Sequence, residues 1–194
     1  ATFGDTEVII GNWFEKTKKR HKVILASKVC GPMREYVRGG GNQFGEKNIT
    51  EALEGSLKRL KTDYIDLYQL HWPERSTNCF GTREFKMNEA EGKWNDFESI
   101  LQALDKYIKS GKIRYIGCSN YMAWELIEGI QISRRYGWSE FMTIQPEFSM
   151  FEREPESELI YACEKYKVGI LPYFPLASGF LTGKYKKGFI GLQD

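Results

Sequence analysis

No stretch of this sequence approaches the run of roughly 18 apolar residues that crosses a bilayer, and its first residues lack the basic-then-apolar order of a secretion signal. Neither a membrane partner nor export is therefore expected. The four cysteines, Cys30, Cys79, Cys118 and Cys163, stand far apart and form no CxxC pair, which argues against a zinc or other metal site and against a disulfide framework. That usage suits a reducing, cytoplasmic setting. Charge of one sign is missing as well: the net charge is +2, acids and bases are interleaved, and the longest basic cluster, Lys16-Thr17-Lys18-Lys19-Arg20, reads as the solvated end of a helix. Without a basic stripe carrying interleaved aromatics, nucleic acid is not an expected partner. The glycine spacings that cradle phosphates are also absent. The loop around Arg38 to Asn42 matches neither GxxxxGK(S/T) nor GxGxxG, and Gly179 to Lys184 has too few residues between its glycines, with Tyr185 in place of the Ser/Thr. Asn48-Ile49-Thr50 spells a glycosylation sequon, which in a chain without a secretion signal is a coincidence.

What is present suffices for one core. A chain of 194 residues, 41% hydrophobic and 28% charged, is expected to form a single domain over residues 1–194. It opens without methionine close to an apparent helix and stops at Asp194 with no final packing element, so it is expected to be a piece of something longer.

The apolar pattern alternates between two periods. Val8, Ile9, Trp13 and Phe14 suggest a helix from Thr6 to Lys19, and Val23 to Ser27 is a compact apolar run of strand length followed by Lys28. Asn48, with Glu51 three residues on, has the form of a capping box for a helix whose apolar face is Ile49, Leu53, Leu57 and Leu60. Tyr64 to Leu70 reads as a strand buried on both faces and ends on His71. The polar connection 74–93 is long enough to be a substrate-side loop. Phe97, Ile100, Leu101, Leu104, Tyr107 and Ile108 then have helical spacing, with Gly111 at the stop. Ile113 to Cys118 is a strand that delivers Ser119 and Asn120, and Trp124, Leu126, Ile127 and Ile130 belong to the helix after it. Met142 to Ile144 is a short strand ending at Gln145. Pro155 and Glu156 open a helix with Leu159, Ile160, Cys163 and Tyr166 inward, and Val168 to Tyr173 is the last strand, with Pro172 at its exit.

Strand, helix, parallel strand, repeated, is the signature of an α/β fold with a helix-covered parallel sheet. The strand ends present Lys28, His71, Ser119 with Asn120, Gln145 and Tyr173. In parallel α/β folds chemistry is built at those ends. A histidine there can orient or protonate a carbonyl oxygen, Asn120 and Gln145 offer both donors and acceptors, and Tyr173 offers a flat face for stacking. Nucleophilic catalysis has little support, since neither Ser119 nor any cysteine has a base beside it in sequence.

The runs Ile24 to Lys28, Ser56 to Leu60, Thr62 to His71, Gly111 to Asn120 and Phe180 to Tyr185 resemble the aldo-keto reductase family, in order and over nearly the whole chain. The resemblance implies a (β/α)8 TIM barrel, here a partial one of about five parallel strands with covering helices. It also implies NADPH as cofactor, a small-molecule carbonyl substrate and reduction by hydride transfer. By the same resemblance Lys28 and His71 are similar to the family's catalytic lysine and histidine. Ser119, Asn120 and Gln145 are similar to the residues that grip the nicotinamide carboxamide, and Tyr173 to the aromatic that stacks on the ring. The segment Phe174, Pro175, Leu176 and Ala177, with Lys184 nearby, is similar to the stretch that wraps the pyrophosphate; Phe174 stands where a serine is common.

No segment matches the family's catalytic aspartate and proton-donating tyrosine, so the isolated chain is expected to be weak or inactive. The alternative is a non-catalytic NADP-binding regulatory subunit on the same scaffold, against which His71 argues because such relatives replace it. Five strands do not close an eight-stranded barrel, so weak stability or self-association through exposed strand edges is also expected.

Overall fold

The computed structural model describes residues 4–29, 44–74 and 96–185. Within them the α-helices α1 (Asp5–Thr17), α2 (Glu46–Leu60), α3 (Phe97–Lys109), α4 (Ala123–Tyr136) and α5 (Leu159–Tyr166) alternate with the strands β1 (Ala26–Val29), β2 (Ile65–Leu70), β3 (Ile113–Ser119), β4 (Phe141–Gln145) and β5 (Gly169–Ile170). The strands form one sheet in the order β1-β2-β3-β4-β5, every neighbouring pair parallel. Each strand thus lies beside the one before it, with a helix as the crossover. This is an α/β fold consistent with an arc of a (β/α)8 barrel. No described helix is long and apolar enough to cross a membrane. The glycine-rich loop 38–42, the connection from 75 to 93, Cys30 and Cys79 lie outside the described residues.

Two faces of the sheet follow from the strand period of two. One carries Val29, Tyr68, Leu70, Ile116, Cys118 and Ile144, all buried in the core with α2 Leu53 and Leu57, α3 Leu101 and Leu104, and α4 Leu126 and Ile130. The other carries the register row Lys28, Gln69, Gly117, Thr143 and Gly169. The helices end where local chemistry stops them. Asp96 accepts the Glu98 N–H at the start of α3, the Glu125 carboxylate accepts the Met122 N–H at the start of α4, and Gly111 and Gly137 take positive φ just past α3 and α4.

Boundaries differ from the sequence expectations at β1, α2, β5 and α5 among other places. β1 starts later, at Ala26, because side chains satisfy the backbone ahead of it: Arg20 Nη1 donates to the Val23 carbonyl, and the Leu25 N–H donates to Asp66 Oδ2. Lys28 is therefore inside a strand rather than after one. α2 starts at Glu46, not Asn48, since the Ile49 N–H closes the first turn on the Gly45 carbonyl. β5 is shorter than expected. Leu171 and Tyr173 still donate to the Ile144 and Pro146 carbonyls, but Pro146 has no N–H to return to the Leu171 carbonyl. Pro155 and Glu156 lie in a separate 3-10 turn before α5, of which Leu159 and Cys163 are buried while Ile160 and Tyr166 are only partly so.

In α1 the expected apolar face is only half used: Phe14 is buried, but Ile9 is 69% exposed and Val8 and Trp13 also face out. The helix instead approaches α2 through Gly11. A Cβ there would overlap the Arg59 carbonyl oxygen and stand 2.8 Å from the Leu60 carbonyl carbon. Gly11→Ala is expected to cost about 1–3 kcal/mol through this backbone clash, read as a lower urea midpoint. A midpoint equal to that of the parent chain would show that α1 is not seated on α2 in this way.

Candidate functional site

On the face that bears Lys28, Gln69, Gly117 and Thr143, moving two residues toward the strand exits reaches His71, Ser119 and Gln145. The five strands therefore bring the expected residues to one end of one face. Hydrogen bonds then stitch the exits together. Asn120 adopts φ 62°, the left-handed conformation that asparagine tolerates better than most residues, and this turns its amide back over the sheet. Its Nδ2 donates to the His71 carbonyl at 3.0 Å and to Ser119 Oγ at 3.2 Å, and its Oδ1 accepts from the Tyr173 hydroxyl at 2.9 Å. Ser119 Oγ donates to the Gln145 carbonyl at 2.7 Å, which also accepts the Asn120 N–H.

Below this layer Gln69 Nε2 donates to Gln145 Oε1 at 3.1 Å. Gly117 makes room for that bond. A Cβ at this position would overlap Thr143 Oγ1 and stand 3.3 Å from Gln69 Cγ. No hydrogen bond among the described residues uses Gln145 Nε2, which is thus the open donor of the cluster.

Burial, and then the positive charge of Lys28, push the His71 imidazole down to about 4. It is neutral at pH 7. Burial also lowers the Lys28 ammonium from its ordinary value. The Tyr173 phenol is pushed up to about 12 by burial and by the carboxylates of Glu147 and Glu152, so it stays protonated and donates to Asn120. A neutral imidazole with an ammonium on the same face can orient and polarise a carbonyl oxygen. Gln145 can hold a second, amide-type carbonyl, and the partly buried Tyr173 ring can stack.

Past Tyr173 the backbone coils through positive φ at Phe174 (51°), Ala177 (47°), Ser178 (53°) and Gly179 (91°). The Phe174 and Leu176 carbonyls accept from Ala177 and Gly179, which closes the turn. Phe174, Pro175 and Leu176 have exposed side chains. The Lys184 ammonium lies 3.0 Å from the point where a Cβ on Gly179 would stand, adding a cation to the turn. A backbone turn of positive-φ residues with a cation beside it suits an anionic group.

Two residues of this arrangement were not singled out by sequence reasoning: Gln69 and Thr143. Gln69 did carry a signal, since it precedes His71 by two and must share its face. Thr143 carried the same signal toward Gln145, but its place over Gly117 depends on the register shift between β3 and β4.

The family model for the aldo/keto reductase family matches residues 2–192. Protein tas of Escherichia coli (strain K12) is 41% identical over 189 residues, covering 96% of this chain and 54% of its own length. The uncharacterized oxidoreductase YrpG of Bacillus subtilis is 35% identical over 193 residues, covering 98% of the chain and 54% of its own length. The Schizosaccharomyces pombe aldo-keto reductase yakc, whose name includes NADP(+), is 35% identical over 188 residues, covering 95% of the chain and 48% of its own length. The chain spans about half the length of the curated relatives it matches.

Proposed function

Because the chain belongs to the aldo/keto reductase family, we propose that it carries the nicotinamide-binding and carbonyl-orienting part of an NADPH-dependent carbonyl reductase. The observation that carries this reading is the meeting of Lys28, His71, Ser119, Asn120, Gln145 and Tyr173 at one end of one sheet face. The residues fit the cofactor. Gln145 Nε2 is a free donor for a carboxamide oxygen, the Tyr173 ring is held in place by its bond to Asn120, and the turn at 174–179 with Lys184 suits a pyrophosphate. Bound NADPH would supply the hydride for a carbonyl carbon.

The chain's own residues have the remaining tasks. Neutral His71 orients the carbonyl oxygen of an aldehyde or ketone, and Lys28 adds positive potential where negative charge develops on that oxygen. Asn120 is engaged at both ends within the protein, so its part is to pin Tyr173 and the His71 backbone, leaving Gln145 to meet the carboxamide.

Titration of the purified chain with NADPH, followed by tryptophan fluorescence, is expected to show saturable binding, and Lys184→Ala is expected to weaken it about tenfold through loss of one charge-assisted contact. Incubation with an aldehyde then tests transfer by the appearance of alcohol. Alcohol formation would favour a reductase over a binding subunit, saturable binding with little or no alcohol is the outcome expected of a chain with no match to the family's aspartate and tyrosine, and no saturable binding would overturn the proposal.

A further inference from the structure

The sheet face beneath the site contains a polar group whose only partner among the described residues is a residue of the site. Gln69 is 2% exposed, sits inside β2 between apolar neighbours, and donates through Nε2 to Gln145 Oε1 across the width of β3. Its own Oε1 is buried with no partner among the described residues, as is Thr143 Oγ1, and both side chains crowd the space over Gly117. An unpartnered buried polar atom is costly, and two apolar side chains of similar shape would avoid that cost. The pair therefore does little for the sheet as such. What it does determine is direction. A primary amide has a donor end and an acceptor end, and with Gln69 donating into Oε1, Gln145 must present Nε2 outward.

We propose that Gln69 is a positioning residue that sets the amide orientation of Gln145, so that the site offers a donor and takes the carbonyl oxygen of a planar carboxamide or ketone rather than its N–H2 end. This rests on the proposed function for the identity of the ligand, while the orientation follows from the Gln69 bond with Gln69 as its donor. A carboxylate at position 69 can only accept. It would draw Gln145 Nε2 inward and turn Oε1 outward, reversing what the site selects.

The probes are NADP(+) and its 3-acetylpyridine analogue, which keeps the carbonyl oxygen but has a methyl group in place of the amide nitrogen. Affinities are measured by fluorescence titration of the whole chain at pH 8, with melting temperature as a check on folding. The parent chain is expected to bind the two within about threefold of each other. Gln69→Glu is expected to disfavour the analogue by about tenfold relative to NADP(+), the worth of roughly one hydrogen bond. A residue with a merely structural role would shift both affinities and leave their ratio alone. Gln69→Met, which removes the bond without adding charge and frees Gln145 to turn either end outward, is expected to disfavour the analogue about threefold relative to NADP(+) at a melting temperature close to that of the parent. It carries the test if the carboxylate variant does not fold. An unchanged affinity ratio in Gln69→Met, or in a folded Gln69→Glu, overturns the inference while the proposed function stands. No binding of either dinucleotide by the parent chain overturns both.

Discussion

Asp66→Ala is expected to lower the stability of the chain by about 3–5 kcal/mol, the usual cost of removing one partner of a buried ion pair. Asp66 is 5% exposed, and its carboxylate accepts from Arg20 Nη2 at 2.8 Å, from Arg114 Nη1 at 2.8 Å and from the Leu25 N–H at 2.9 Å. Its removal strands more than a charge. Arg20 also holds the Val23 and Tyr64 carbonyls and Thr62 Oγ1, and both guanidinium groups stack on the Tyr64 ring, at 3.9 and 4.1 Å from its centroid. This cluster ties the entrance of β1 to β2. Without Asp66 the Arg20 side chain, 14% exposed, would be left without its counter-charge.

The pH dependence has a definite sign. Burial by itself would raise the Asp66 carboxyl, but the Leu25 N–H, the hydrogen bond from Arg20 and the charges of Arg20 and Arg114 outweigh it and hold the group below its ordinary 3.8. Its contribution to stability is therefore complete above that ordinary value and is lost as pH falls through the lowered folded value. Urea unfolding at neutral pH and again in acid should show the parent chain converging toward Asp66→Ala in acid. A neutral-pH difference under about 1 kcal/mol would contradict this account of the ion pair.

Asn120→Ala comes second, with an expected loss of roughly 3–4 kcal/mol from two separable causes. Alanine at the φ of 62° found here costs about 1–2 kcal/mol. The amide's bonds to the His71 carbonyl, Ser119 Oγ and the Tyr173 hydroxyl are worth about 1 kcal/mol each at most. Asn120→Gly separates the two, because glycine accepts the left-handed backbone but cannot make the bonds. It should recover about 1 kcal/mol of stability, while the Tyr173 ring, released from its tether, still weakens NADPH binding under the proposed function. If the glycine variant bound NADPH as tightly as the parent chain, the tether would have no part in forming the site.

The strand exits were legible because their signals are local. Tyr64 to Leu70 is apolar enough to be a strand covered on both sides, and all six residues of β2 are indeed buried, so His71 had to emerge where the run stops. Gly111 was likewise readable as a helix stop, and it takes φ 77°. Local signals misled where a distant side chain intervened. Val23 and Ile24 have the composition of a strand, yet Ile24 is 85% exposed and the Val23 carbonyl is taken by Arg20. In α1 the spacing of Val8, Ile9 and Trp13 promised an inward face, but close approach at Gly11 placed a different side of the helix against α2.

By itself, then, the sequence determined the alternation of helices and strands and the set of polar residues delivered to the strand ends, because period and burial act over a few neighbouring residues. It did not determine who bonds to whom. Gln69 and Gln145 lie 76 residues apart, Asn120 and Tyr173 53, and Arg20 and Asp66 46. Those pairings follow from the register of parallel strands, set by how α2, α3 and α4 pack on the sheet. Only the tertiary structure could show that Asn120 is engaged inward while Gln145 keeps a donor free.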